Sequence, residues 1–429
     1  MSAPQSKLWA SVFSGTFGGF LGLTLLKFGN LPIMEKFVTA PANIYEFLLG
    51  SPWPVQWAYA LLIGVALLGA AGARRNSNAP RWLLVLPLVW LAWQFVATND
   101  SWQTALSRPT CWHFAASVLC FYLGYFSLSR VRQLGLFWGA LLACFLLVLA
   151  AGWQQHFGGL EETRRYFFAY IYPKGPVPPE YLKKMSSNRI FSTLFYPNAL
   201  AGALLLLLPP LLYSITQARR LLTPAARWFV IVAGLAGGLG CLFWSGSKGG
   251  WLLMLLLGLI ALLRLNFRKS LKIVLVCLVL ATGLTGFFWK YAGFFRKGAT
   301  SVSARFDYWH AAFVTTKEHP WIGTGPGTFA IPYERIKRPE AEMARLTHND
   351  YLEQASDSGL PGFLIYTLFI VSALVYGVRA RQIDGLWFLW LGLLGWALQG
   401  LIEFPLYMPA LAWPAFTFFG LLLGSCRRG

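Results

Sequence analysis

Twelve apolar stretches of about 20 residues each, joined mostly by short basic connections, leave this chain little choice of solvent. They fall near 8–28, 54–73, 81–98, 109–128, 133–153, 197–216, 227–244, 248–265, 270–289, 360–378, 385–404 and 408–425. About 20 apolar residues, wound as a helix, cross the hydrocarbon of a bilayer. Only 12% of the 429 residues are charged, against about 25% in a soluble domain. Too little polar surface remains to cover a water-exposed globule, so lipid must solvate much of the chain. The 20 Trp and 17 Tyr fit a bilayer protein, because amphipathic rings collect at the headgroup level. The expected fold class is all-α: a polytopic membrane protein with about 12 transmembrane helices, forming one membrane domain over residues 1–429. The weaker segment 33–50 reads as interfacial or as part of a loop. The first stretch follows a single Lys7 and lacks a small-x-small cleavage pattern, so it reads as a retained helix.

The formal charge of +20 would suggest nucleic acid in a soluble chain. Here the charges sit between apolar spans and form no basic domain or RNA-binding motif, which excludes that class. Their distribution instead orients the chain. With the N-terminus inside, the short inner connections hold Arg74, Arg75 and Arg81; Arg130 and Arg132; Arg219, Arg220 and Arg227; Arg264, Arg268, Lys269 and Lys272; Arg379 and Arg381; then Arg427 and Arg428. Of the sixteen acidic residues, only Asp384 falls inside. An even span count with both ends in the cytoplasm satisfies the whole pattern. The six cysteines, Cys111, Cys120, Cys144, Cys241, Cys277 and Cys426, avoid the long loops and form no C-x-x-C pair, so neither a disulfide framework nor a zinc site is indicated.

Two outer connections are long, 154–196 and 290–359. Long loops escape the positive-inside rule, so their basic residues need another reason. The first loop carries Arg164, Arg165, Lys174, Lys183, Lys184 and Arg189; the second carries Lys290, Arg296, Lys297, Arg305, Lys317, Arg335, Lys337, Arg338 and Arg345. The plain explanation is a solvated loop that touches anionic headgroups. Local context sets a few residues apart. In "RLTHNDYLEQASDSGLPG", Thr347 and Asp350 resemble a capping box, which predicts a helix from His348 to Gly359. His348 would then lie in the first turn, where the partial positive charge keeps an imidazole neutral and able to accept a proton. Arg189 sits just before the membrane surface, where a snorkelling cation is the ordinary explanation. Asn198 follows Pro197 at the start of a span and reads most simply as a helix cap. Lys248 lies in "SGSKGG", a tight outer turn. In "RFDYWHAAF", Arg305, Tyr308 and Trp309 share a helix face at spacings of three and four, which suggests an amphipathic helix on the membrane surface. "GTGPGTF" is glycine-rich but lacks the order of a P-loop and reads as a shaping turn.

Arg189 with Pro197-Asn198, the block "RFDYWHAAF…HPWIGTGPGTF" and the run "THNDYLEQASDSGLPG" together resemble the bacterial O-antigen ligase and O-antigen polymerase superfamily, over roughly 185–365. The resemblance implies a lipid-linked glycosyltransferase of the membrane GT-C type in the bacterial inner membrane, with its active site on the periplasmic side. It implies transfer of a glycan from undecaprenyl diphosphate to an acceptor hydroxyl, on lipid A-core or a related glycolipid in ligases and on another repeat unit in polymerases. The family's essential arginines map onto Arg189 and Arg305 and its histidine onto His348. Further substrate-binding candidates are Lys248, Asn198, Asn349, Tyr351 and Glu353.

Elementary chemistry agrees with these residue types. Breaking an anomeric bond to a diphosphate builds negative charge on the leaving group. The chain has no D-x-D pair to hold a divalent metal, and Glu340-Ala-Glu342 is a poor substitute. Arginines can meet the charge by forked hydrogen bonds, so no cofactor and no metal are expected, and the reaction reads as an inverting, metal-independent transfer. A base must take the acceptor proton, and His348 is the candidate, with Glu353, Asp350 or Asp307 to orient it. Two other classes compete. A twelve-span transporter of the major-facilitator kind would carry a long central inner connection, whereas 217–226 is short; no paired broken helices mark its halves. A non-catalytic scaffold is disfavoured only if Arg189, Arg305 and His348 meet in space.

Overall fold

The computed structural model describes residues 3–426 except 51, 74–78, 176, 178–181, 183–184, 297–299 and 379–383. Arg74, Arg75, Lys183, Lys184, Lys297, Arg379, Arg381, Arg427 and Arg428, used above for charge arguments, lie outside the described residues. Among the described residues there are helices and loops and no strand. Each of the twelve apolar stretches is a helix: α1 (Ala3–Lys27), α2 (Val55–Ala70), α3 (Arg81–Asn99), α4 (Thr104–Tyr122), α5 (Gly135–Gln154), then, after the short α6 (Leu160–Tyr166), α7 (Pro197–Gln217), α8 (Pro224–Ser245), α9 (Lys248–Arg264) and α10 (Lys269–Arg296). Two helices, α11 (Thr300–Glu318) and α12 (Ala330–Ile336), follow in the second long connection, before α13 (Asp350–Gly377), α14 (Asp384–Gln399) and α15 (Pro409–Ser425). Eight helical segments of the described residues are long and apolar enough to cross a membrane, and α2, α14 and α15 are shorter apolar helices. The protein is a multi-pass membrane protein.

The bundle closes around α15, which is buried along its whole length from Pro409 to Gly424. It packs on α4, while α1 lies along α5, α3 along α13 and α7 along α14. A lipid-facing helix has no reason to bury all its faces, so α15 and most of α7 form the protein-solvated centre. At the other extreme α10 buries almost none of its apolar surface against the rest of the chain.

Local chemistry sets the ends that matter. Gly246 takes a left-handed conformation after α8, and Ser247 caps α9 by accepting from the Gly250 amide, which makes the turn between the two helices tight as its sequence suggests. The capping-box expectation needs correction. Asn349, not Thr347, caps α13: its Oδ1 accepts from the amides of Tyr351 and Leu352, and the helix begins at Asp350. Thr347 is diverted, its hydroxyl donating to the Asn349 carbonyl and its amide to Glu353. His348 is therefore not in a first helical turn but just outside it, in a left-handed conformation with φ +54°. Nor does α13 stop at Gly359; it kinks there and continues to Gly377. Helix α11 packs one face against the protein and leaves Phe306 and Phe313 exposed on another. Tyr308, Ala311 and Ala312 are buried against Phe329, Tyr333 and Ala344, and α11 packs on α13. The glycine-rich turn is strapped to α13, with Thr324 and Gly325 donating to the Ser356 and Asp357 carbonyls and the Gly327 amide donating to Asp357 Oδ2 at 2.6 Å. Gly325 adopts φ +108° where a Cβ would fall 2.2 Å from the Ser101 hydroxyl, so only glycine fits.

Candidate active site

At one end of the bundle a partly open cavity of about 650 Å³ is walled by Arg189, Asn198, Tyr308, His348, Glu403 and Phe404, among others. Its polar residues come from four separate parts of the chain. Arg189 precedes α7; Asn198 is the second residue of that helix; His348 precedes α13; and Glu403 stands in the turn between α14 and α15. Arg305, on α11, reaches the same carboxylate from behind.

Glu403 is the hub. Its Oε1 accepts from Arg305 Nη2 and from Asn198 Nδ2, and its Oε2 lies 2.9 Å from His348 Nδ1. Asn198 passes the connection on: its Oδ1 accepts from Arg189 Nη2 at 2.8 Å, and Arg189 Nε donates to the Ser245 carbonyl at 2.7 Å. Arg305 is held at two further points, by the carbonyls of Ile402 and Ser301 at 3.1 and 3.0 Å. Both guanidiniums are thus fixed by backbone oxygens and keep spare N–H groups, since each has five. Burial lowers Arg189, an effect opposed by Glu403 and reinforced by Arg305. An arginine stays charged in proteins regardless, so two buried or half-buried cations face one carboxylate, and the site is short of negative charge.

His348 is 29% exposed at its side chain, with Tyr308 stacked at 5.7 Å between ring centres and Phe404 edge-on at 4.8 Å. Two aromatic walls and a carboxylate leave Nε2 as the ring's open polar atom; among the described residues it has no hydrogen-bond partner. Ser192 and Phe195 share the positive φ of His348. Non-glycine residues in this region carry strain that persists where the surroundings over-determine it, as at functional sites.

Of the residues singled out in the sequence, His348, Arg305, Arg189 and Asn198 come together here. Asn198 is not a helix cap: Tyr196 occupies that position without a side-chain bond, and Pro197 opens α7. Lys248 opens α9 beside the cavity, its Nζ 3.9 Å from the Phe294 ring centre and near enough to Arg189 and Arg305 for their charges to act on it. Asn349, Tyr351 and Glu353 do not line the cavity. Asn349 is committed to the cap and to the Leu401 carbonyl, Tyr351 donates to the Ala397 carbonyl, and Glu353 is buried against the Thr347 amide. None of the three acids expected to orient His348 does so. Asp307 pairs with Arg338, Asp350 accepts from the Leu406 amide and Glu353 from Thr347. Glu340 pairs with Arg338, and Glu342 accepts from the Tyr308 hydroxyl.

Glu403 is the residue the sequence reasoning missed, although a signal existed. It is the one acidic residue inside any of the twelve apolar stretches, and an ionisable group at membrane depth marks function by default.

Comparison with known proteins bears on the same region. Residues 232–367 match the family model of the O-antigen ligases. That segment contains Lys248, Arg305 and His348, while Arg189, Asn198 and Glu403 lie outside it. A Haemophilus influenzae protein described only as uncharacterized is 29% identical over 160 residues, covering 32% of this chain and 40% of that relative's length. This match rests on the segment that supplies Arg305 and the cavity histidine, and over that segment the chain is similar to the O-antigen ligases.

Proposed function

We propose that the protein transfers a glycan from undecaprenyl diphosphate to an acceptor hydroxyl at the periplasmic face of the bacterial inner membrane, as an O-antigen ligase-like, inverting glycosyltransferase. The single observation that carries this is one hydrogen-bonded network at the wall of one cavity, in which Arg305 and His348 meet the Glu403 carboxylate directly and Arg189 joins it through Asn198. The twelve helices would all span, with both termini cytoplasmic and the connections 154–196 and 290–359 periplasmic. The acceptor is lipid A-core or a related glycolipid.

In this mechanism the donor's diphosphate lies against Arg189 and Arg305, with Lys248 adding charge from the next helix start. Forked guanidinium contacts suit phosphate oxygens better than a point charge does. The acceptor hydroxyl approaches His348 Nε2, which takes its proton as the oxygen bonds to the anomeric carbon. The carbon–oxygen bond to phosphate breaks on the opposite face, its electron pair leaves with the diphosphate, and the configuration inverts. Arginines fixed by backbone carbonyls meet that growing charge without having to reorganise. Asn198 spaces the arginine from the carboxylate. Asn349, Tyr351 and Glu353 support the site by holding the start of α13 and do not bind substrate.

The test is reconstitution with undecaprenyl-diphosphate glycan and candidate acceptors, with products separated on gels. His348→Ala should lower turnover about 10²–10⁴-fold, the usual worth of general acid–base help, while the folded protein still binds donor. EDTA should leave the wild-type rate unchanged. Near-normal turnover in His348→Ala, or loss with EDTA that magnesium or manganese restores, would overturn the scheme.

A further inference from the structure

We infer that Glu403 is the positioning residue of this site, fixing which nitrogen of His348 carries the proton and setting the distance between the base and the two arginines. The transfer role rests on the function proposed above; the proton placement does not.

The inference follows from donor counting. Glu403 is buried and accepts from Arg305 and Asn198 through Oε1. An ionised carboxylate only accepts. At 2.9 Å from Oε2, His348 Nδ1 must therefore bear the hydrogen, which leaves Nε2 with its lone pair directed away from the carboxylate. The ring has no freedom to reverse this arrangement. Tyr308 stacks on one side, Phe404 stands edge-on, and the left-handed backbone at His348 fixes where the ring begins. Without the carboxylate no other group would hold Nδ1–H, because among the described residues His348 has no other hydrogen-bond partner.

The same carboxylate sets the spacing of the charges. Arg305 binds it directly, and Arg189 reaches it through Asn198, so base and clamp are referred to one rigid group. Glu403 touches neither a bond that forms nor one that breaks. It acts through the residues that do.

The experiment uses full-length protein in detergent with ¹⁵N-labelled histidine, without donor or acceptor. Nitrogen shifts distinguish Nδ1–H from Nε2–H, and a His348→Gln spectrum assigns the signal. The wild type should show His348 protonated at Nδ1, and Glu403→Ala should move the proton to Nε2, the form a free imidazole favours. A wild-type His348 protonated at Nε2, or a Glu403→Ala spectrum that keeps Nδ1–H, would overturn the inference. If Glu403→Ala fails to fold, the wild-type tautomer decides alone. A second arm measures transfer. Glu403→Ala should lower turnover by up to about 10⁴-fold, the worth of an orienting carboxylate elsewhere, with Glu403→Asp recovering part of it and the donor KM moving less than turnover. A shifted tautomer with unchanged turnover would remove Glu403 from the reaction. If the wild type transfers no glycan, the spectra still decide the proton placement, so failure of the proposed function and failure of this inference are distinguishable.

Discussion

Replacing Arg189 by lysine isolates what a fork does that a charge cannot. In the structure Arg189 spends Nε on the Ser245 carbonyl at 2.7 Å and one hydrogen of Nη2 on Asn198 at 2.8 Å, which leaves three N–H groups of the five. A lysine keeps the positive charge but offers a single nitrogen at the end of a flexible stem. It cannot hold Ser245, Asn198 and two phosphate oxygens together. Losing one charge-assisted bond to the donor costs about 1.5–3 kcal/mol, which is about 10- to 150-fold in dissociation constant. The assay is binding of undecaprenyl diphosphate and undecaprenyl monophosphate to purified wild type and Arg189→Lys, both checked for a cooperative melt. The loss should be larger for the diphosphate, because only that ligand gives the fork two phosphoryl groups to bridge. Unchanged diphosphate affinity in a folded Arg189→Lys protein, or an equal loss for both ligands, would refute the forked clamp.

Single cysteines placed at Glu161 and Glu340 in a cysteine-free background should react with an impermeant reagent applied from outside, and one at Arg220 should not; labelling at Arg220 would reverse the orientation. Gly359→Ala should destabilise the protein by about 1–3 kcal/mol from its φ alone. The residue sits at φ +68° and a Cβ there would lie 2.3 Å from the Trp321 carbonyl oxygen, so the clash adds to that cost and a wild-type thermal midpoint would contradict it.

The apolar helices were legible because length and apolarity are local properties: each stretch chosen on those grounds is a helix, and eight helical segments among the described residues are long and apolar enough to cross a membrane. Helix starts were less legible, because several residues competed for one cap. Thr347, Asn349 and Asp350 all have side chains able to cap, and only the three-dimensional demand on Thr347 from Glu353 decides for Asn349. Asn198 shows the reverse case: a typical capping residue is drawn away because Arg189 and Glu403 offer it a charged partner on each side. His348 was identified partly for a wrong reason. The helix start that was to keep its ring neutral begins after it, and the local control comes from Glu403, more than fifty positions later in the chain. A pairing of that separation has no signature in spacing. It could be suspected only from the oddity of a carboxylate within an apolar stretch.

The buried polar residues of α13 acquire a purpose once Glu403 is seen as the hub. Asp350 accepts from the Leu406 amide at 3.0 Å, and its own amide donates to the Gly400 carbonyl at 2.7 Å. Asn349 Nδ2 donates to the Leu401 carbonyl at 3.0 Å, and Asp357 Oδ2 accepts from the Tyr407 hydroxyl at 3.0 Å. From the other side, α4 contributes His113. Its Nδ1 accepts from the Trp413 indole, so its Nε2 carries the hydrogen given to the Leu406 carbonyl at 2.8 Å. The turn 400–408 is therefore tied on both flanks of Glu403, and on one side by the helix whose start carries His348. Buried polar groups are costly unless hydrogen-bonded, and the bonds these groups make hold one loop in one place. A base and its orienting carboxylate need positions good to about half an ångström. Two elements packed only by apolar side chains could slide by more than that, whereas a ladder of directional bonds between α13 and the turn cannot. Of the acids that looked like candidates for orienting His348, Asp350 thus acts on it at one remove, by fixing the turn that carries Glu403.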